Sequence, residues 1–234
     1  MTLDDPAVVR AEYEDETRLA ARKAAHANGE GPDAREVLFE AIAEARPARI
    51  LEVGCGEGEL AARMQRELGA DLLAVDQSER MVEITRARGV DARVGTVERL
   101  DLPDGSFDCV VAAWMLFHVS DVHRALAEIV RVLEPGGRLV AVTNGADHLS
   151  ELFVLVGGRA WVSNFSAEHA DWILPQHFAR VERRDAHGWL VFPDAEAAQR
   201  YIDSLVLQQG SRVPPVEGPI RARRTPSIFV AEKA

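Results

Sequence analysis

Between Arg49 and Leu68 the hydrophobic period changes from that of a strand to that of a helix, and it changes across alternating glycines. Ile50, Leu51 and Val53 make a short apolar run, Gly54, Gly56 and Gly58 interrupt it, and Leu60, Ala61, Met64 and Leu68 resume at helical spacing. Strand, turn and helix in that order open a parallel α/β unit, because parallel strands need a crossover connection and a helix usually supplies it. The alternation continues: Leu72 to Val75 reads as a strand, Ser78 caps a helix that closes near Gly89, and Ala92 to Val94 is a short strand. Phe107 to Ala113 is apolar on both faces, as a fully buried parallel strand is. Ser120 or Asp121 opens another amphipathic helix, and Arg138 to Thr143 is a further strand. The fold class is therefore α/β, a parallel sheet with helices on both sides.

The flanks are less regular. Residues 1–45 read as helical, with Val8 to Ala27 rich in Ala, Glu and Arg, a break at Asn28 to Pro32, and a second helix capped by Asp33. After Asn144 the pattern loosens into a short helix near Ser150, an aromatic stretch through Trp161, Phe165 and Trp172, and a strand near Ala179 to Arg184. A helix capped by Asp194 and a last strand near Ser227 to Ala231 follow. A length of 234 residues suits one domain, read as a helical cap over 1–45, a ligand-binding core over 46–145 and a substrate or lid region over 146–234.

Charge and composition exclude several partners. A net charge of −11 repels phosphate backbones and anionic lipid surfaces, and the basic stretches Arg180 to Arg184 and Arg221 to Arg224 are brief, so neither nucleic acid nor membrane is an expected partner. No apolar run reaches the roughly 18 to 20 residues that cross a bilayer, and the acidic start Met1 to Pro6 is unlike a secretory signal, so a cytoplasmic location is expected. Cys55 and Cys109 have neither redox nor zinc spacing, and no set of acids and histidines has metal-ligand spacing, so no metal is expected.

A glycine turn at the carboxyl end of a parallel strand lets a ligand approach the backbone. Asp76, ending the next strand, is placed to take two ribose hydroxyls. Nicotinamide dinucleotides use such an acid as well, but their turn is G-x-G-x-x-G, and counting from Gly54 the third glycine falls on Glu59. Glu52, two residues before Gly54, opposes a pyrophosphate yet suits an amino group or a sulfonium; tying down the turn through backbone amides is the equal alternative.

Ile50 to Gly58, Asp76 and Leu133-Glu134-Pro135-Gly136-Gly137 closely resemble the class I S-adenosylmethionine-dependent methyltransferases, and Leu102 to Asp108 with Leu116-Phe117-His118-Val119 resembles their small-molecule, type 11 branch. The resemblance covers residues 48–143. It implies a Rossmann-like doubly wound sheet of seven strands, the last antiparallel, with an N-terminal helical cap and S-adenosyl-L-methionine as cofactor. It further implies that Glu52, Gly54, Cys55, Gly56 and Gly58 lie near the methionine part, Asp76 at the ribose, Gln77 and Met81 beside the adenosine, and Thr96, Val97 and Ala113 around the rest of the cofactor. Many relatives carry an acid where this chain has Thr96. Tyr13, Arg18 and Arg22 match the cap residues that close over the cofactor in some relatives.

Methyl transfer from a sulfonium is an in-line displacement, governed by alignment and exclusion of water, and a base is needed only where the acceptor must lose a proton. His118, just after the buried strand, and His148, after the next one, are the candidate catalytic residues; Trp114, Phe117, Asn144, Trp161 and Tyr13 are the candidate substrate contacts. The expected activity is methyl transfer to an oxygen or nitrogen of a small metabolite. A nicotinamide-dependent oxidoreductase and a non-catalytic S-adenosylmethionine-binding regulator are the alternatives.

Overall fold

The computed structural model describes residues 3–13, 16–26, 29–158 and 163–234. Helices α1 (Pro6–Tyr13) and α2 (Glu16–His26) precede a two-residue strand β1 (Gly29–Glu30) and helix α3 (Ala34–Glu44). The core follows as β2 (Arg49–Val53), α4 (Glu59–Leu68), β3 (Asp71–Asp76), α5 (Glu79–Ala87), β4 (Asp91–Val94), β5 (Phe107–Ala113), α6 (Val122–Val132) and β6 (Leu133–Asn144). The remainder holds α7 (Ser150–Leu155), α8 (Ala167–Ile173), β7 (Arg180–Asp185), β8 (Gly188–Phe192), α9 (Ala195–Asp203), β9 (Ile220–Arg224) and β10 (Pro226–Glu232).

Among the described residues the main sheet has seven strands in the order β4-β3-β2-β5-β6-β10-β7. The pairs from β4 to β6 are parallel, and β10 runs antiparallel between β6 and β7, with Pro226 opposite Asn144. The chain thus has the doubly wound sheet and antiparallel last strand that the resemblance implies. Side chains explain the layers. Val122, Ala125, Leu126, Ile129 and Val132 form the buried stripe of α6 on one face of the sheet, and Leu38, Ala41 and Ile42 of α3 pack with Ile50, Cys109, Val140 and Ile228 on the other. The caps fall where short polar side chains allow: Asp33, Ser78, Asp121 and Asp194 each accept a backbone N–H of the helix they precede. Asp121, rather than Ser120, caps α6.

The stretch Leu102 to Asp108 is structural in detail. Asp108 accepts the N–H groups of Ala48 and Arg49 at the start of β2, and Arg131 gathers Asp104, Glu128 and the carbonyls of Leu100 and Leu102. These bonds hold the lower end of the sheet, away from its ligand edge.

Three features depart from the sequence reading. The long helix read from Val8 to Ala27 is two helices, α1 and α2. The strand read from Arg138 begins already at Leu133, so β6 is twelve residues long, with an irregular register beside Phe107. A second sheet, β1-β8-β9, is built from Gly29–Glu30, read as a break, and from Gly188–Phe192 and Ile220–Arg224, which were not read as strands at all. Its apolar side, Leu190, Phe192, Ile220 and Ala222, packs with Leu152, Phe153 of α7 and Tyr201, Ile202 of α9 in a separate core.

Candidate active site

The turn that opened the sequence reading lies at the carboxyl end of β2, and backbone bonds fix it to β3. The N–H groups of Gly54 and Cys55 both donate to Val75 O, and the N–H of Gly56 donates to Asp76 Oδ2 at 2.9 Å. Asp76 Oδ1 accepts Ser78 N–H, also at 2.9 Å, so the carboxylate bridges the turn and the start of α5. Gly54, Gly56 and Gly58 all have positive φ, but their neighbours differ. A Cβ on Gly56 meets nothing within 4 Å, whereas one on Gly58 would lie 2.6 Å from Thr85 Oγ1 and Cγ2. Gly56 leaves the ligand side open; Gly58 lets α4 approach α5. Cys55 points inward to Thr85, and burial pushes its thiol up to about 12, so it is an inert packing group.

Glu52 is 2% exposed, one of its carboxylate oxygens has no hydrogen-bond partner, and Ala61 N–H serves the carboxylate. Burial, reinforced by the nearby Asp76 charge, raises it to about 8. Burial also raises Asp76. Two acids that resist ionisation beside an open backbone turn accommodate a cationic, hydroxyl-bearing ligand and disfavour a pyrophosphate. The orphaned oxygen of Glu52 and the open side of Gly56 therefore fit S-adenosylmethionine. Met81 is buried and Gln77 exposed at the start of α5; Thr96 is half-buried and Val97 lies in the core beside Leu100.

The second half of the site follows β5 and β6. Ala113 ends β5, and Trp114 takes a left-handed backbone conformation, φ 51°, that turns the chain over the sheet edge. Its indole N–H donates to Asn144 Oδ1 at 3.3 Å, joining the ends of the two strands. Met115 sits over Gly54, whose missing Cβ would otherwise lie 2.7 Å away, so the segment after β5 and the glycine turn are in direct contact. A small cleft of about 40 Å³ opens after β5 and β6, lined by Phe117, Thr143, Asn144, Gly145, Ala146 and His148 together with Leu3 and Ser163. Leu3 and Ser163 carry no motif and were missed in the sequence; they arrive from distant parts of the chain.

The two histidines have opposite tautomers, assigned from their partners. His118 Nδ1 donates to the carbonyl of Leu3 at 2.9 Å, which puts its lone pair on Nε2. His148 Nδ1 accepts Thr225 N–H at 3.1 Å, so its proton is on Nε2. Burial holds both imidazoles neutral, His118 down to about 4 and His148 to about 3, the latter pressed further by its neighbours, Arg224 among them. His148 lines the cleft and carries its proton on Nε2; His118 lies behind Phe117 and outside the cleft lining. Tyr13 closes α1, but its side chain lies outside what the structure describes, as does all of Trp161. Among the described residues no three acids, cysteines or histidines cluster as metal ligands, and no helix is long and apolar enough to cross a membrane.

Comparison with known proteins agrees with this arrangement. Residues 51–141 match a family model described as a methyltransferase domain. The chain is 35% identical over 167 residues to a ubiquinone biosynthesis O-methyltransferase of Xanthomonas oryzae, covering 62% of this chain and 67% of that protein. It is 40% identical over 118 residues to an uncharacterized methyltransferase of Mycobacterium tuberculosis, covering 50% of this chain but only 46% of the relative. The chain thus spans about half the length of the latter. The fold matches that of a phosphoethanolamine N-methyltransferase of Haemonchus contortus solved with S-adenosyl-L-methionine, TM-score 0.66 at 19% identity, over 100% of this chain and 60% of that one. Fold, turn and relatives together define a class I methyltransferase domain. The chain belongs to the type 11 branch of the S-adenosylmethionine-dependent methyltransferases, and S-adenosyl-L-methionine is its cofactor.

Proposed function

We propose that this protein transfers a methyl group to an oxygen or nitrogen atom of a small metabolite held in the cleft beside Phe117, Asn144 and His148. The observation that carries the reading is the cleft lined by Phe117, Asn144 and His148 after β5 and β6, at the same carboxyl edge of the parallel strands as the glycine turn after β2. The Xanthomonas relative, named for O-methylation of a small molecule, supports the same substrate class. When bound, the cofactor supplies a methyl group on a cationic sulfur that departs by in-line displacement.

The chain's own contribution is alignment and exclusion of water. Glu52 and Asp76 fix the cofactor turn, and Asn144, held by Trp114, borders the acceptor. His118, next to the cleft residue Phe117, is the base this reading would use, and at a pKa of about 4 it is a weak one. Acceptors that are acidic or already anionic therefore suit this site better than aliphatic alcohols. Incubation with methyl-labelled S-adenosylmethionine and pooled phenols, amines and carboxylic acids is expected to give a labelled product and S-adenosylhomocysteine. Tight cofactor binding with no labelled product from any pool or from metabolite extracts would favour a non-catalytic regulator.

A further inference from the structure

In three of the four polar side chains that line the cleft, the atom able to accept a hydrogen bond is already taken by a donor of the protein. Asn144 Oδ1 accepts the indole N–H of Trp114 at 3.3 Å. His148 Nδ1 accepts the N–H of Thr225 at 3.1 Å, and Ser163 Oγ accepts the N–H of Phe165 at 3.0 Å. An indole and a backbone amide can only donate, so these bonds fix which end of each side chain is occupied. The fourth, Thr143, gives its hydroxyl proton to the carbonyl of Phe165 at 2.6 Å and is 1% exposed.

What remains is a set of donors. The Asn144 amide keeps its N–H bonds, His148 its Nε2 proton and Ser163 its hydroxyl proton, and no described residue accepts any of them. The Asn144 and His148 nitrogens are not sealed in the interior either. Among the described residues the buried atoms without a partner are Glu52 Oε2, Asn164 Oδ1, Arg224 Nε and Thr225 Oγ1, so these two nitrogens reach open space, and the cleft is the space both residues line.

Charge narrows what such a wall can take. Among the described residues no Asp, Glu, Lys or Arg lines the cleft, and burial keeps His148 neutral down to about 3. An anion enclosed there would have no lining charge to offset its lost hydration. An amine would bring further N–H groups to side chains with nothing left to accept them.

We infer that the methyl acceptor carries a neutral carbonyl oxygen, apart from the atom that is methylated, held by the N–H and O–H groups of Asn144, His148 and Ser163 while Leu3 and Phe117 cover its apolar body. This rests on the methyl-transfer reading of the same cleft. A carbonyl offers two lone pairs and no proton, the complement of a donor-only wall. His148 then binds the acceptor and is not its base, because its one lone pair is engaged by Thr225.

The test uses protein with isotope-labelled histidine, saturated with S-adenosylhomocysteine. It is titrated with acetophenone, with α-methylstyrene, which has a methylene in place of the oxygen, and with benzoate. Acetophenone is expected to bind about tenfold more tightly than either, and it alone should move the Nε2–H resonance of His148. The near-isosteric Asn144→Asp replaces a donor by an acceptor and should bring the preference to near unity. His148→Phe should lower it several fold, whereas His148→Gln, whose amide can accept from Thr225 and still donate, should keep most of it. S-adenosylhomocysteine affinity stays unchanged in each, and Ser163→Ala, expected to lower the preference about twofold or more, serves if the others fail to fold. Equal affinity for acetophenone and α-methylstyrene, tighter binding of benzoate, or no binding of acetophenone at millimolar concentration overturns the inference. Failure to bind S-adenosylhomocysteine would instead strike the methyl-transfer reading itself.

Discussion

The two halves of the site are built by different means. The cofactor half is a local object: β2, the glycine turn, α4 and β3 are consecutive in the chain, and backbone bonds from Gly54, Cys55 and Gly56 lock them together. The half proposed for the acceptor is assembled from far apart. Leu3, Phe117, Asn144, His148 and Ser163 line its cleft, and side-chain bonds such as His118 to Leu3 and Trp114 to Asn144 hold it. A local, backbone-held turn tolerates divergence elsewhere and keeps one ligand. A cleft stitched by side chains changes its ligand with single substitutions, which is how one fold serves many acceptors.

That contrast can be broken most forcefully with acid. His26, His118 and His148 are held by burial at about 4, 4 and 3, below the ordinary value of 6.5. A histidine whose folded pKa is depressed stabilises the fold fully above its unfolded pKa, and that contribution is lost as the pH falls toward the folded value. Stability should therefore drop between pH 6.5 and 3, by on the order of 1–3 kcal/mol for each histidine. The acceptor half should loosen first. Melting curves across that range should show a shallower acid slope in His148→Gln, and hydrogen exchange should open β9 and α7 before β2 and β3. Simultaneous opening of both halves would abolish the distinction.

Asp76→Ala comes next. Losing an acid that bridges Gly56 and Ser78 beside the glycine turn should weaken S-adenosylmethionine binding by about 1–3 kcal/mol. Calorimetry should record this with little change in acceptor binding to the residual complex; unchanged cofactor affinity removes Asp76 from the ribose. His118→Ala should act the other way round. It lowers turnover and, by removing the bond to Leu3, costs about 1 kcal/mol of local stability, while cofactor affinity stays near wild type. A turnover equal to wild type would leave His118 a latch for the N-terminal segment and nothing more.

The smallest effect is a fraction of a proton. Glu52 sits at about 8 and is mostly protonated at pH 7, so a cationic sulfonium nearby should release its proton. Binding enthalpies measured at pH 7 in buffers of different ionisation enthalpy should reveal net proton release for S-adenosylmethionine and less for S-adenosylhomocysteine, which lacks that charge. Equal release for both ligands would place the sulfur away from Glu52.

The same contrast explains what was legible in the sequence. The order β2-α4-β3-α5-β4-β5-α6-β6, with its caps and glycines, could be read because each element announces itself within about ten residues by period and punctuation. Glu59 in the place of a third dinucleotide glycine, with Glu52 and Asp76 on either side, was enough to direct the ligand reading. The small sheet was not legible. β1 has two residues, β8 begins with Gly188 and carries Trp189 between buried Leu190 and the turn, and β9 alternates Ile220, Ala222 and Arg224 with two further arginines. Its period of two was present, but an arginine in the buried phase hides a strand from any count of apolar residues. Leu3 and Ser163 could not be found either, since their role comes wholly from tertiary approach. His118 and His148 stood out as a matching pair, yet the partners that make one an acceptor and the other a donor are 115 and 77 residues away in the chain.

The antiparallel placement of β10 between β6 and β7 has a consequence for how the molecule is made. A chain emerging from the ribosome in order has every residue of the cofactor turn and its supporting strands in hand once β5 is out, whereas β10, which sets Pro226 opposite Asn144, follows much later. The strands that carry the glycine turn are therefore made well before the strand that fills the sheet between β6 and β7, and a ligand that binds only the folded turn adds its binding energy to whatever state holds that turn together.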